Sequence, residues 1–209
     1  MTELEQILLI RHGQTDHNRQ RRFCGVTDVP LNEHGRREAM AVAGRLAGKG
    51  FAALVASPLQ RARQTADAIA AAVGLEVRED LRLMELDHGE IEGLLFNEVK
   101  QARPEVVEEF ISGKGEVPLP GGESLVDVQA RAYGVLQDLL AEPPGPKVLV
   151  VTHQMVLASL LCRVLRLELK QWWRLRFDRA SITVLERAHD DWAVRRINDG
   201  AHLEELGED

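Results

Sequence analysis

The chain has 209 residues, with 26 Lys and Arg against 33 Asp and Glu, for a net charge of −7. That acidic balance argues against general affinity for nucleic acid or for a membrane surface. Cys24 and Cys162 are the only cysteines, too few for a disulfide framework and in keeping with a reducing cytoplasm.

The length fits a single domain over residues 1–209, large enough to bury a sizeable core. Glu3 and Glu5 precede a very short apolar run, so the N-terminus resembles no signal peptide. No apolar run approaches membrane-spanning length. A soluble, cytoplasmic protein is expected.

Residues Ile7–Ile10 form a continuous apolar run that predicts a buried strand, and the run ends abruptly in Arg11, His12 and Gly13. Such a tip sits where α/β sheets bind ligands; a core strand ending in a solvated Arg and a structural His is the competing reading. Residues 14–22 predict a loop or short helix whose first N–H groups would suit an anion. After a turn-rich stretch, Asn32 predicts the cap of a helix reaching about Gly48. Phe51–Ala56 predicts the second strand. Ser57-Pro58-Leu59-Gln60 then reads as a helix start, with Ser57 as cap and Pro58 in the first helical position. Arg61 therefore falls in a first turn, close to a strand tip.

A short strand is expected at Glu76–Arg78, followed by an irregular acidic stretch to Gly93 in which Glu90 and Glu92 read as solvated or capping. Residues 94–120 look like an insertion with one helix, Pro104–Ile111. Ser124 caps a long amphipathic helix that Pro143 to Pro146 ends. Lys147–Thr152 predicts another buried strand, and it too delivers a histidine, His153, followed by an apolar helix. Trp172 and Trp173 read as core or as a contact between protomers, and His34 as surface. Residues 181–186 and 192–197 predict a hairpin of edge strands, an edge at which two copies could pair as a homodimer. The alternation predicts a three-layer α/β/α Rossmann-like sandwich, with a mostly parallel sheet and a small helical cap at about 94–120.

If the strand tips converge, Arg11, Arg61, His12 and His153 would surround one point. Two forked guanidinium groups and two imidazoles make a pocket for a tetrahedral dianion. The chain has neither a Gly-x-x-x-x-Gly-Lys-Ser/Thr loop nor a clear metal-ligand spacing. What remains for moving a phosphoryl group is a protein nucleophile, and a neutral imidazole qualifies.

Leu9-Ile10-Arg11-His12-Gly13-Gln14-Thr15-x-x-Asn18 resembles the signature of the histidine phosphatase superfamily, the phosphoglycerate-mutase-like proteins. Further blocks follow in the matching order: Ser57-Pro58-Leu59-x-Arg61-Ala62-x-Gln64-Thr65-Ala66, Glu85-x-x-x-Gly89-x-x-Glu92-Gly93, Gly121-Gly122-Glu123-Ser124 and Val150-Val151-Thr152-His153. The resemblance implies that His12 attacks phosphorus while Arg11, Arg61 and His153 hold the oxygens, with a further hydrogen bond from Asn18. It implies that Glu85 protonates the leaving oxygen and then activates water. It implies a small phosphorylated metabolite as partner, with no cofactor and no metal.

Gln154 stands where the family usually has glycine. Its backbone N–H can still serve phosphate, while its side chain could crowd the pocket or reach the substrate. Arg22-Phe23-x-Gly25-x-x-Asp28-x-Pro30-Leu31 resembles the α-ribazole phosphatase branch. Arg21, Arg22 and Phe23 read as a rim that meets the leaving group, with an ordinary loop as the alternative, and Arg22, Phe23 and Gly25 join the expected substrate- or phosphate-binding residues. The implied activity is a metal-independent phosphomonoesterase working through phosphohistidine, with α-ribazole 5′-phosphate among its candidate substrates. A phosphoglycerate mutase using the same phosphohistidine is one alternative. A non-catalytic phospho-ligand-binding module, kept open by Gln154, is another.

Overall fold

The computed structural model describes residues 3–112, 115–189 and 191–207. Six strands form one sheet in the order β3-β2-β4-β1-β5-β6. They are β1 (Gln6–Arg11), β2 (Ala53–Ala56), β3 (Val77–Glu79), β4 (Lys147–Thr152), β5 (Ile182–Ala188) and β6 (Asp191–Asp199). β1, β4, β2 and β3 run parallel, and β5 and β6 each pair antiparallel to the strand before them.

Alternating side chains divide the core between the two faces of the sheet. Ile7, Leu9, Val55, Val148 and Val150 join the cluster built with α6 (Leu125–Ala141) and α7 (Gln154–Val164). Leu8, Ile10, Leu54, Leu149 and Val151 join the cluster built with α2 (Glu33–Leu46) and α3 (Gln60–Val73). Helices therefore cover both faces, and the expected α/β/α layering holds. Among the described residues, no helix is long and apolar enough to cross a membrane.

Several local expectations are corrected. The hairpin is not a pair of edge strands: β5 lies inside the sheet against β1, in a register that sets Leu9 opposite Thr183, and only β6 forms that edge. Asp190 of its expected turn lies outside the described residues. Helix α3 begins two residues later than the capping pattern suggests, after Leu59 and without a side-chain cap. The Asp28 carboxylate instead accepts the Gln60 N–H at 2.7 Å, because the Ser57 hydroxyl is committed elsewhere.

The segment at 94–120 carries two helices rather than one, α4 (Phe96–Ala102) and α5 (Pro104–Ser112). The first has no N-cap residue of the favoured polar kind. Its start is closed by Glu98, which accepts the Leu95 N–H at 3.0 Å. Both helices stand beside the carboxyl ends of the parallel strands. There an antiparallel contact between Arg22 and Leu95, and the Phe23 N–H on Leu94 O at 2.9 Å, tie the segment to the loop after β1.

Candidate active site

His12 continues β1 past its last ladder residue. Its N–H donates to Thr152 O at 3.0 Å, and its carbonyl accepts from Ala180 N at 3.2 Å. The next residue must turn sharply over α2. A methyl group on Gly13 would lie 2.5 Å from Gly35 O, and one on Gly35 would lie 2.1 Å from Gln14 O. Two glycines thus permit backbone-to-backbone contact that any side chain would prevent. Thr65 of α3 accepts the Gly13 N–H at 3.1 Å and donates to Arg61 O at 2.8 Å. Glu38 of α2 is buried and accepts the Gln14 N–H at 2.6 Å.

The two imidazoles meet, with ring centroids 5.0 Å apart. His12 Nδ1 lies 2.7 Å from Gly13 O. A carbonyl can only accept, so Nδ1 carries the proton and Nε2 keeps its lone pair for attack. His153 Nε2 lies 2.7 Å from Ser57 Oγ, which also accepts the Leu59 N–H at 3.4 Å. With the hydroxyl donating to Nε2, His153 Nδ1 holds a proton; that atom is buried and has no protein partner. Arg11 Nε and Arg61 Nε are likewise buried and unpartnered. Unpaired donors are rare in protein interiors, and three beside one nucleophilic ring describe a cradle that an oxyanion would complete.

The rest of each guanidinium is anchored. Arg61 donates to Thr27 O at 2.9 Å and to Gly25 O at 2.5 Å. Arg11 donates to Phe177 O at 2.5 Å. Burial pushes the Arg11 guanidinium down to about 10, against the opposing pull of Glu85, and it stays charged at neutral pH. For His12, burial first and then Arg61 and Arg11 hold the ring well below the usual imidazole range. His153 is lowered by burial, Arg61, His12 and Arg11 in that order. Both rings are therefore neutral at pH 7, and each keeps a nitrogen lone pair.

Glu85 is buried at the start of α7, where it accepts the Met155 N–H at 3.2 Å and that of Leu86 at 2.9 Å. Its backbone is pinned by Arg131 of α6, which donates to Arg82 O, Met84 O and Glu85 O at 2.6–3.0 Å. Thr152 of β4 adds a bond to Leu83 O at 2.8 Å. The carboxylate thus sits where β4, α6 and α7 converge, on the N–H of a residue two positions after His153.

The remaining residues of the expected site take varied places. Asn18 closes a capping box with Thr15 at the short helix α1 (Asp16–Arg19), accepting the Thr15 N–H at 3.2 Å. This engages its oxygen and leaves the amide nitrogen as its donor. Arg22 is taken up by Gly93 O and Gln20 at 2.8 and 2.7 Å, so its guanidinium ties the loop after β1 to the chain just before α4. Gly25 serves the site indirectly, through the carbonyl that holds Arg61. Phe23 lines a cavity of about 530 Å³ beside Arg11, together with Phe96, Phe110, Trp172, Trp173 and Gln154. Trp172 packs against the core, as expected, and also lines this cavity, while Trp173 is exposed at its wall rather than in the core. The side-chain amide of Gln154 is bonded to Leu175 O and Phe177 N–H, at 3.1 and 3.2 Å.

Two other expectations fail. His34 is buried rather than on the surface, 3.4 Å from Glu38. Glu92 neither solvates nor caps: it accepts from Gly25 N, Val26 N, Thr27 Oγ1 and His88 N at 2.7–3.1 Å. Burial pushes its carboxyl up, but the bonds from His88 and Thr27 prevail and hold it at about 2. The only sequence signals for Glu92 and Thr65 were their places in the ordered blocks. Glu38 and Arg131 gave none. Among the described residues, no group of three or more His, Cys, Asp or Glu is placed to hold a metal ion.

The buried neutral histidines set a stability profile. Folded His12 and His153 stay deprotonated well below 6.5, whereas the unfolded chain takes up protons near that value. Below about pH 6.5 the unfolded state binds more protons, so stability falls with falling pH, with a slope approaching about 1.4 kcal/mol per pH unit per ring. Urea midpoints measured from pH 7.5 down to 5 are expected to decline, and a His153→Asn variant to decline less steeply. A level profile for both proteins would contradict the assignment.

Residues 7–200 match the family described as the histidine phosphatase superfamily, branch 1. The "Probable phosphoglycerate mutase GpmB" of Cronobacter sakazakii is 34% identical over 204 residues, covering 95% of each chain. Phosphoserine phosphatase 1 of Hydrogenobacter thermophilus is 31% identical over 201 residues, covering 96% of this chain and 95% of its own. A mycobacterial glucosyl-3-phosphoglycerate phosphatase, solved with VO3, superposes with a TM-score of 0.86 at 33% identity, covering 94% of this chain and 100% of its own. With its signature blocks meeting at one sheet edge and a family match along nearly its whole length, this chain belongs to branch 1 of the histidine phosphatase superfamily and is a phosphatase-type enzyme.

Proposed function

We propose that the protein is a metal-independent phosphomonoesterase that works through a phosphohistidine at His12. The observation that carries this reading is the trio of buried, unpartnered donors, Arg11 Nε, Arg61 Nε and His153 Nδ1, beside a ring whose Nε2 is free. In the first step the Nε2–P bond forms and the P–O ester bond breaks, and the leaving oxygen takes a proton from Glu85. In the second, Glu85 takes a proton from water as it attacks phosphorus, the N–P bond breaks, and inorganic phosphate leaves. The cations offset the charge spread over the equatorial oxygens at both transition states.

The aromatic cavity beside Arg11 favours an alcohol with a flat apolar part, which an aryl ester has, as does the base of α-ribazole 5′-phosphate. Relatives are named both as mutase and as phosphatase, so both outcomes belong in one test. Incubation with p-nitrophenyl phosphate, α-ribazole 5′-phosphate and 3-phosphoglycerate separates the readings. Release of inorganic phosphate, fastest from the first two, is expected. Conversion of 3-phosphoglycerate to its 2-isomer without net release would establish a mutase. Phosphate binding without turnover of any ester would leave a binding module.

A further inference from the structure

One wall of the leaving-group cavity is a strap without regular structure. It follows the 3₁₀ turn Leu169–Arg174, which carries Trp172 and Trp173, and leads toward β5. The Leu175 N–H closes that turn on Trp172 O at 2.9 Å. The other hydrogen bonds recorded for the backbone of 175–177 come from two side chains at the catalytic edge. Gln154 Nε2 donates to Leu175 O at 3.1 Å, Gln154 Oε1 accepts the Phe177 N–H at 3.2 Å, and Arg11 donates to Phe177 O at 2.5 Å. Phe177 itself is buried, and Trp172 packs on Phe110 of α5 with ring centroids 5.1 Å apart. Both ends of one amide, on the residue next to His153, are therefore spent on holding this wall in place.

We propose that Gln154 is a specificity-determining positioning residue. It ties the strap to the first turn of α7, fixes Trp172 against α5, and so sets the enzyme's preference for flat apolar leaving alcohols over small flexible ones. A side chain lost at this position leaves Leu175 O and the Phe177 N–H without their hydrogen-bond partner on α7, and the wall that a planar group stacks on loses its fixed distance from Arg11. This inference rests on the phosphomonoesterase reading for its consequence, though not for its geometry.

The test compares wild type, Gln154→Gly and Gln154→Met on 1-naphthyl phosphate and glycerol 3-phosphate. Methionine keeps the bulk and makes neither bond. In both variants the ratio of kcat/KM for the aryl over the alkyl ester is expected to fall about tenfold, carried mainly by KM of the aryl ester, the worth of roughly one ordinary hydrogen bond. An unchanged ratio in both, or a fall in the glycine variant alone, would overturn the proposal, the second because bulk rather than tethering would be responsible. The strap is also read without turnover. In a Trp173→Phe background, acrylamide quenching of tryptophan fluorescence is expected to rise when Gln154 is replaced, and unchanged quenching counts against the tether. Wild type that hydrolyses neither ester would sink the phosphomonoesterase reading while the quenching still decides whether Gln154 holds the strap.

Discussion

Replacing His12 by alanine is expected to abolish turnover, lowering kcat on the order of 10⁴-fold or more, while inorganic phosphate or vanadate still binds. The two effects separate because they use different atoms. Attack needs the free Nε2, which the bond from Nδ1 to Gly13 O orients. Binding needs the unpartnered nitrogens of Arg11, Arg61 and His153, which that substitution leaves in place. Trapping by mass spectrometry of protein quenched during turnover should show one phosphoryl group on wild type and none on His12→Ala. Glu85→Gln should bind phosphate but turn over slowly, with the label accumulating, since its amide can neither protonate the leaving oxygen nor activate water. Turnover by His12→Ala at the wild-type rate would remove the nucleophile assigned here.

The largest stability effect is expected away from the reacting atoms, at Glu92. Alanine there leaves the N–H groups of Gly25, Val26 and His88 without their carboxylate. Room is also lacking for a simple collapse, because Gly25 already lies so close to the Leu86 backbone that a methyl group would meet its carbonyl oxygen at 2.0 Å. Each stranded buried donor costs about 1–3 kcal/mol, and the loss is expected to reach roughly 3–5 kcal/mol in urea unfolding. Phosphate affinity should fall with it, because the loop that Glu92 holds supplies the carbonyls of Gly25 and Thr27 that anchor Arg61. The carboxyl sits at about 2 in the folded chain. Its contribution is therefore present above its unfolded value near 4.3 and is lost only as pH falls toward 2, so measurements at neutral pH see all of it. A variant as stable as wild type and binding phosphate as tightly would show that the loop supports itself.

How the pieces of the site are held was not legible in the chain. The strand ending in Arg11 and His12 and the strand ending before His153 were plain as apolar runs, because a strand buried on both faces needs no polar alternation. The caps at Asn32 and Ser124 were equally local, and both formed. Ser57 shows the limit. Its sequence context reads as a helix cap, yet its hydroxyl serves a histidine 96 positions away, and no local pattern encodes that pairing. The same holds for Arg131 on the Glu85 loop, some 46 to 49 positions distant.

The sequence by itself determined the layered α/β class, the family and which four side chains lie together at the strand tips, because strand periodicity and short ordered blocks are properties of neighbouring residues. Strand order, the interior place of β5, the tautomer of His12, and the employment of Glu92 and Gln154 were decided only in the tertiary structure. Each of these depends on which buried donor meets which acceptor across the fold, and that follows from the requirement that polar groups removed from water find partners wherever packing brings them.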